Sequence, residues 1–197
     1  EIPEEWEVKK LQNVTDKIGD GIHSTPNYVN NSEYYFVNGN NLINGKIIFS
    51  ENTKNVSQEE FLKYELKLNK NTVLLSINGT IGNVAFYNNE KIVLGKSASY
   101  IICNDNLDVI FFFYLLQSNI IKKYLSTQLT GTTIFNLSLG SIRNMKLYKP
   151  PLPEQQKIAT ILSNIDSKIT SQEQYKEKLE KLKKSLMQKL LTGEVRV

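Results

Sequence analysis

The stretch PPLPEQQKIATILSNIDSKITSQEQYKEKLEKLKKSLMQKLLTG, residues 150–193, decides how this chain is organised. Pro153 suits the first helical position, because its fixed φ is already helical and its missing N–H would have no partner there. Glu154 then favours the positive end of the helix dipole. Beyond it, Ile158, Leu162, Ile165, Ile169, Tyr175, Leu179, Leu182, Leu186 and Leu190 recur at steps of three and four, with polar Gln172 on the same line. That spacing is a coiled-coil stripe. Lysines and glutamates such as Lys157, Lys168, Lys176, Glu177, Glu180 and Lys184 occupy the other sides, and Gly193 supplies a C-terminal cap.

A helix from Pro153 to Thr192 at ~1.5 Å per residue runs on the order of 60 Å, against a radius of gyration of roughly 16 Å for a compact chain of this length. It outreaches its own domain. A helix folded back over that domain would show a wider apolar face than this narrow line. No other segment matches its length, so the expected partner is a helix from another chain or from a second copy of this one. The predicted organisation is a domain over residues 1–149 and a spacer or dimerisation helix over 150–197.

The chain has 197 residues, of which 40% are hydrophobic and 22% charged: enough for one core of moderate size plus the helix. A formal net charge of +4 is compatible with nucleic acid without demanding it, since much of the excess lysine lies on the final helix. Cys103, the single cysteine, excludes an internal disulfide and reads as a buried thiol within Ser99–Cys103. No signal peptide is visible, and the longest apolar run, Val109 to Leu116, falls far short of the ~20 residues that span a bilayer. The expected location is the cytoplasm. The opening Ile2-Pro3-Glu4-Glu5-Trp6 has no initiator methionine and reads as the start of a domain cut from a longer protein, with Trp6, Val8 and Leu11 pinning it to the core.

Between these ends the pattern predicts strands at Tyr34–Val37, Lys46–Phe49, Thr72–Ile77, Asn83–Tyr87, Ile92–Leu94, Ser99–Cys103 and Met145–Tyr148, with Ile92–Leu94 continuing the same sheet as its neighbours. Ser57-x-x-Glu60 is a capping box that opens a short helix. Asp108 introduces a helix through Gln117, apolar nearly all round and therefore central to the core, and a second helical piece reaches Leu125. Strands and helices mix without strict βαβ alternation, so the fold class is α+β.

Chemistry-bearing patterns are scarce. There is no phosphate-binding loop at Asn78–Gly82, no Gly-x-Gly-x-x-Gly, no Asn/Asp-Pro-Pro-Tyr motif and no metal-ligand spacing. Glu7-Val8-Lys9 and Glu65-Leu66-Lys67 have the Glu-x-Lys shape of a nuclease core, but neither follows a suitable acidic strand. His23 is the only histidine and lacks a cysteine or metal-ligand partner. A recognition module without cofactor or metal is the expected reading.

Several stretches together resemble the specificity subunit of Type I restriction-modification enzymes. They are Ile2-Pro3-Glu4-Glu5-Trp6 with Leu11, Gly19-Asp20-Gly21 to His23 with Thr25-Pro26, and Gly79-Thr80-Ile81-Gly82. Further along come Gly131-Thr132-Thr133 to Asn136-Leu137-Ser138, Pro151-Leu152-Pro153-Glu154-Gln155 with Ile158-Ala159, and Leu191-Thr192-Gly193. The resemblance covers essentially the whole chain. A complete subunit of that family has two target-recognition domains, each followed by a long helix, so this chain is similar to half of one. The resemblance implies a non-catalytic protein that binds double-stranded DNA, docks methyltransferase and motor subunits, and pairs its helix antiparallel with another. Two copies paired in this way would read an inverted, split site.

Side chains suited to reading base edges or phosphates on the loops are His23, Ser24, Tyr28, Asn40, Lys96, Ser97, Thr132 and Arg143. The alternative is a coiled-coil adaptor whose α+β domain binds protein, and a self-sufficient DNA enzyme would need a catalytic set that the residues do not supply.

Overall fold

Residues 98–103 form a strand in which every residue is buried, and the domain is assembled on both of its edges. In the computed structural model the described residues are 3–131 and 135–196. The chain runs β1 (Glu7–Lys10), β2 (Thr15–Asp20), β3 (Tyr28–Val29), β4 (Tyr34–Val37), β5 (Leu42–Ile43), β6 (Lys46–Ile47), β7 (Asn55–Val56) and α1 (Gln58–Tyr64). It continues through β8 (Thr72–Ser76), β9 (Val84–Phe86), β10 (Ile92–Leu94), β11 (Ala98–Cys103), α2 (Val109–Leu116), α3 (Asn119–Thr127), α4 (Leu139–Asn144), β12 (Lys146–Lys149) and α5 (Leu152–Leu191). The mixture of sheet and helix is α+β, with one long C-terminal helix.

An antiparallel sheet takes the order β2-β11-β8-β9, and a second sheet the order β10-β4-β7-β3, in which β10 runs parallel to β4. Between the two lies a core in which Val37, Ile92 and Leu94 meet Leu74, Ala85, Ala98, Tyr100 and Ile102. Alternation along β11 sends Ser99, Ile101 and Cys103 to its other face, which is buried as well. There α2 packs against the sheet, with Phe113 stacked on Phe86 at 4.4 Å between ring centroids. Asp108 caps α2 by accepting from the N–H groups of Ile110 (3.0 Å) and Phe111 (2.8 Å).

Three expectations are corrected. Ile92–Leu94 does not continue the sheet of its neighbours: the turn after it carries the chain across the core, and β10 joins the other sheet beside β4. Val8 does not pin the opening segment, because β1 pairs with β12 and leaves Val8 49% exposed; Leu11, wholly buried, is the anchor. The capping box at Ser57 is one-sided. Its hydroxyl accepts from the Glu60 N–H at 3.2 Å, while the Glu60 carboxylate turns away to accept from the Asn27 N–H at 3.2 Å.

The chain divides into two units, residues 1–156 and 157–197. The first turn of α5 thus belongs with the domain, and buried Gln155 fastens it there. Its Oε1 accepts from the Asp108 N–H at 2.9 Å, and its Nε2 donates to the carbonyls of Asn106 (3.1 Å) and Pro150 (2.9 Å). In the second unit the helix carries ion pairs Lys181–Glu177 (2.6 Å) and Lys176–Glu180 (3.9 Å), each one turn apart. The apolar line is open to solvent there: Ile165, Ile169, Tyr175, Leu179, Leu182, Leu186 and Leu190 are 42–58% exposed. Gly193, at φ +73°, takes the left-handed conformation that ends the helix. Among the described residues no helix is long and apolar enough to cross a membrane.

Replacing Gln155 by Ala deletes three hydrogen bonds, the one to the Pro150 carbonyl buried and the other two part-buried, so urea denaturation should show a loss of about 2 to 4 kcal/mol. A change below about 0.5 kcal/mol would show that the clamp is dispensable. Burial, with smaller contributions from Asp108 and Asp16, pushes the Cys103 thiol up to about 12. Cys103 should therefore resist a thiol reagent in the native state and react only along the urea unfolding transition. Rapid labelling of the native protein would contradict its place in the core.

Candidate nucleic-acid interface

The register of the first sheet brings three strand ends together. Ser99 lies opposite Asp20 at the end of β2, and Ala98 lies opposite Ser76 at the end of β8. The loops leaving these strands therefore gather at the start of β11, next to the turn Gly95–Ser97.

Main-chain hydrogen bonds knit these loops. Ile22 N–H donates to the Leu94 carbonyl at 2.7 Å, and Ile22 forms a parallel bridge with Gly95. Gly21 is required for this close approach, since a Cβ there would overlap the Leu94 carbonyl. Ile77 N–H donates to the Ser97 carbonyl at 2.9 Å. On its other side the same segment meets residues 135–137, with Leu137 N–H to the Ile77 carbonyl at 2.8 Å and Gly79 N–H to the Phe135 carbonyl at 3.2 Å. At its far end the first loop is held by buried Pro26 and by the Asn27–Glu60 bond.

A cavity of about 260 Å³ opens at this junction, lined by Asp20, His23, Asn78, Lys96, Asn136 and Ser138 together with three aliphatic residues. His23 Nε2 lies 2.9 Å from an Asp20 carboxylate oxygen. A carboxylate only accepts, so Nε2 carries the proton and Nδ1 is left for a ligand, accepting when the ring is neutral and donating when it is charged. The His23 side chain is 72% exposed, which keeps Nδ1 within reach. Lys96 is exposed and engages no partner among the described residues. The Asn78 and Asn136 carboxamides are equally unengaged there. The lining thus offers cationic donors, a carboxylate acceptor and bifunctional amides on a fixed frame, which is a set able to bind phosphate and base edges.

Of the residues singled out from sequence, His23 and Lys96 come together in this cavity. Ser24 follows His23 but turns toward Tyr64, whose phenol is held below its ordinary range first by the Ser24 hydroxyl and then by Lys63. Ser97 spends its hydroxyl on the frame, donating to Asn38 Oδ1 and accepting from the Gly39 N–H, both at 2.9 Å. Asn40 is exposed on a short 3-10 turn, and Tyr28 on β3 lies 5.7 Å from the Phe36 ring. Arg143, on α4, donates to the Ile18 carbonyl at 3.2 Å and lines a separate cavity with Asp16 and Lys17. Thr132 lies outside the described residues. Sequence reasoning missed Asn78 and Asn136 as site residues. Asn78 reads as part of a turn and Asn136 as part of a polar loop, and only their long-range pairing marks them. Among the described residues no group of three or more His, Cys, Asp or Glu is arranged to hold a metal ion.

Residues 3–181 match the family described as Type I restriction modification DNA specificity domain. The chain is 34% identical, over its whole length, to the Type I restriction enzyme MjaVIII specificity subunit of Methanocaldococcus jannaschii, of which it covers 48%. By structure it resembles the HsdS subunit from Thermoanaerobacter tengcongensis, with a TM-score of 0.66 at 18% identity, covering 96% of this chain and 45% of that one. It also resembles the S subunit of a Type-I restriction-modification system from M. genitalium, with a TM-score of 0.63 at 20% identity, covering 95% of this chain and 46% of that one. The chain therefore spans about half the length of these relatives. A match across most of its residues, carried on the same fold, makes this chain a member of the Type I restriction-modification specificity family.

Proposed function

We propose that this chain reads one half-site of a two-part DNA target and acts, without catalysis of its own, as the recognition component on which modification and motor subunits dock. One observation carries the reading: the cavity where Asp20, His23, Asn78, Lys96 and Asn136 converge on loops stitched by main-chain bonds. Base and phosphate recognition requires donors and acceptors left over on a fixed frame: Asn78, Lys96 and Asn136 bond nothing with their side chains among the described residues, and the His23–Asp20 pair still leaves Nδ1 for a ligand.

In this reading residues 1–149 are the target-recognition domain and 150–197 the spacer and pairing helix. The solvent-exposed stripe from Ile165 to Leu190 is the seam for a second helix, either from another copy of the chain or from the other half of a longer one. Antiparallel pairing of two copies sets two reading domains about a two-fold axis, so the site is an inverted repeat whose gap is fixed by the helices.

Selection from a random duplex pool tests the proposal directly: the full chain, alone and with Type I modification subunits, should enrich a split sequence. Protein binding without enrichment of any DNA would favour the adaptor reading. Lys96→Ala should weaken binding to all sequences alike and lower the slope of log affinity against log salt by about 1. Fluorescence anisotropy over a salt series measures this, and an unchanged slope would remove Lys96 from the phosphate contacts. Leu182→Asp places a charge in the seam and should shift the chain from dimer to monomer in sedimentation equilibrium. A variant that still dimerises would relocate the interface.

A further inference from the structure

We propose that Asn78 and Asn136 form a paired carboxamide reader that recognises adenine in the major groove; this rests on the DNA-binding reading above. The two residues face each other across an isolated antiparallel bridge. The flanking bonds run from Leu137 N–H to the Ile77 carbonyl and from Gly79 N–H to the Phe135 carbonyl. Bonds on both flanks and none between the two residues themselves define a non-hydrogen-bonded pair, the kind whose side chains lie closest on one face, with Cβ atoms roughly 4.5–5.5 Å apart. Both line the cavity that His23 and Lys96 enter.

Their amides are unspent, which separates them from structural asparagines of the domain. Asn38 accepts from Ser97, Asn41 donates to the Ile48 carbonyl, Asn55 to the Ser32 carbonyl and Asn144 to the Gly140 carbonyl. Asn78 and Asn136 have their main chains fixed while their side chains bond nothing among the described residues. A carboxamide presents one acceptor and one donor, the complement of the adenine N6 amino group and N7. Guanine offers two acceptors on that edge and leaves the carboxamide oxygen without a donor.

The test uses the full chain with modification subunits, first on a random duplex pool and then on the enriched duplex. Asn78→Ala and Asn136→Ala should each make an A·T position of the enriched site degenerate and weaken binding to the original site by about 5- to 150-fold. Asn→Asp at the same positions should move the preference toward cytosine, whose N4 amino group suits an acceptor. As a check independent of the protein variants, 7-deaza-adenine at the read position deletes N7. It should weaken the unaltered chain by a similar factor and the matching Ala variant no further. Thermal melts of the variants should match the unaltered chain, since no side-chain hydrogen bond among the described residues is lost. A uniform loss of affinity with base preference retained would make these residues phosphate contacts and overturn the inference, as would an unchanged preference. Failure of the unaltered chain to enrich any sequence would instead overturn the DNA-binding reading, and this inference with it.

Discussion

The buried strand β11 is the constraint on which the domain depends. It is apolar at nearly every position, with no solvent-facing side, so it is stable only when both edges are paired and both faces covered. Pairing with β2 on one edge and β8 on the other meets the first condition. The core toward β4 and β10, together with the apolar helix α2, meets the second. The register that satisfies this burial also sets Asp20 and Ser76 beside the start of the strand, so the cavity lies where it does because of packing several residues away.

Helices were the most legible part of the chain, and for local reasons. Ser57, Asp108 and the prolines near residue 152 act within one turn, and Gly193 ends α5 by its own backbone conformation, so those boundaries can be read from adjacent residues. The exception is α4: its cap, Ser138, accepts from Ser141, but a six-residue helix containing Gly140 has no apolar periodicity to announce it. The strands around β8 and β9 were equally plain, because a glycine-bearing turn joins them. What escaped notice was non-local. Ile92–Leu94 reads the same whether it pairs with β11 or crosses to β4, and parallel pairing leaves no turn between partners to betray it.

The site divides along the same line. His23 and Lys96 were recognisable as side chains with chemistry to offer on glycine-bearing loops. That they share one cavity followed from the bridge between Ile22 and Gly95, which joins loops far apart in sequence. Ser97 shows the converse. A hydroxyl next to a lysine on a turn looks available, yet it is consumed by Asn38 and Gly39, and only three-dimensional bookkeeping of donors and acceptors reveals it.

The loops around the cavity are joined mainly through amide and carbonyl groups of the backbone, which every residue type except proline provides. The side chains at positions 78, 96 and 136 are consequently exempt from structural duty. If Asn78 and Asn136 read base edges as proposed, a lineage could exchange them one at a time and acquire a different preference while the scaffold folds unchanged, so that retargeting would be a matter of substitution at the rim and would need no new architecture.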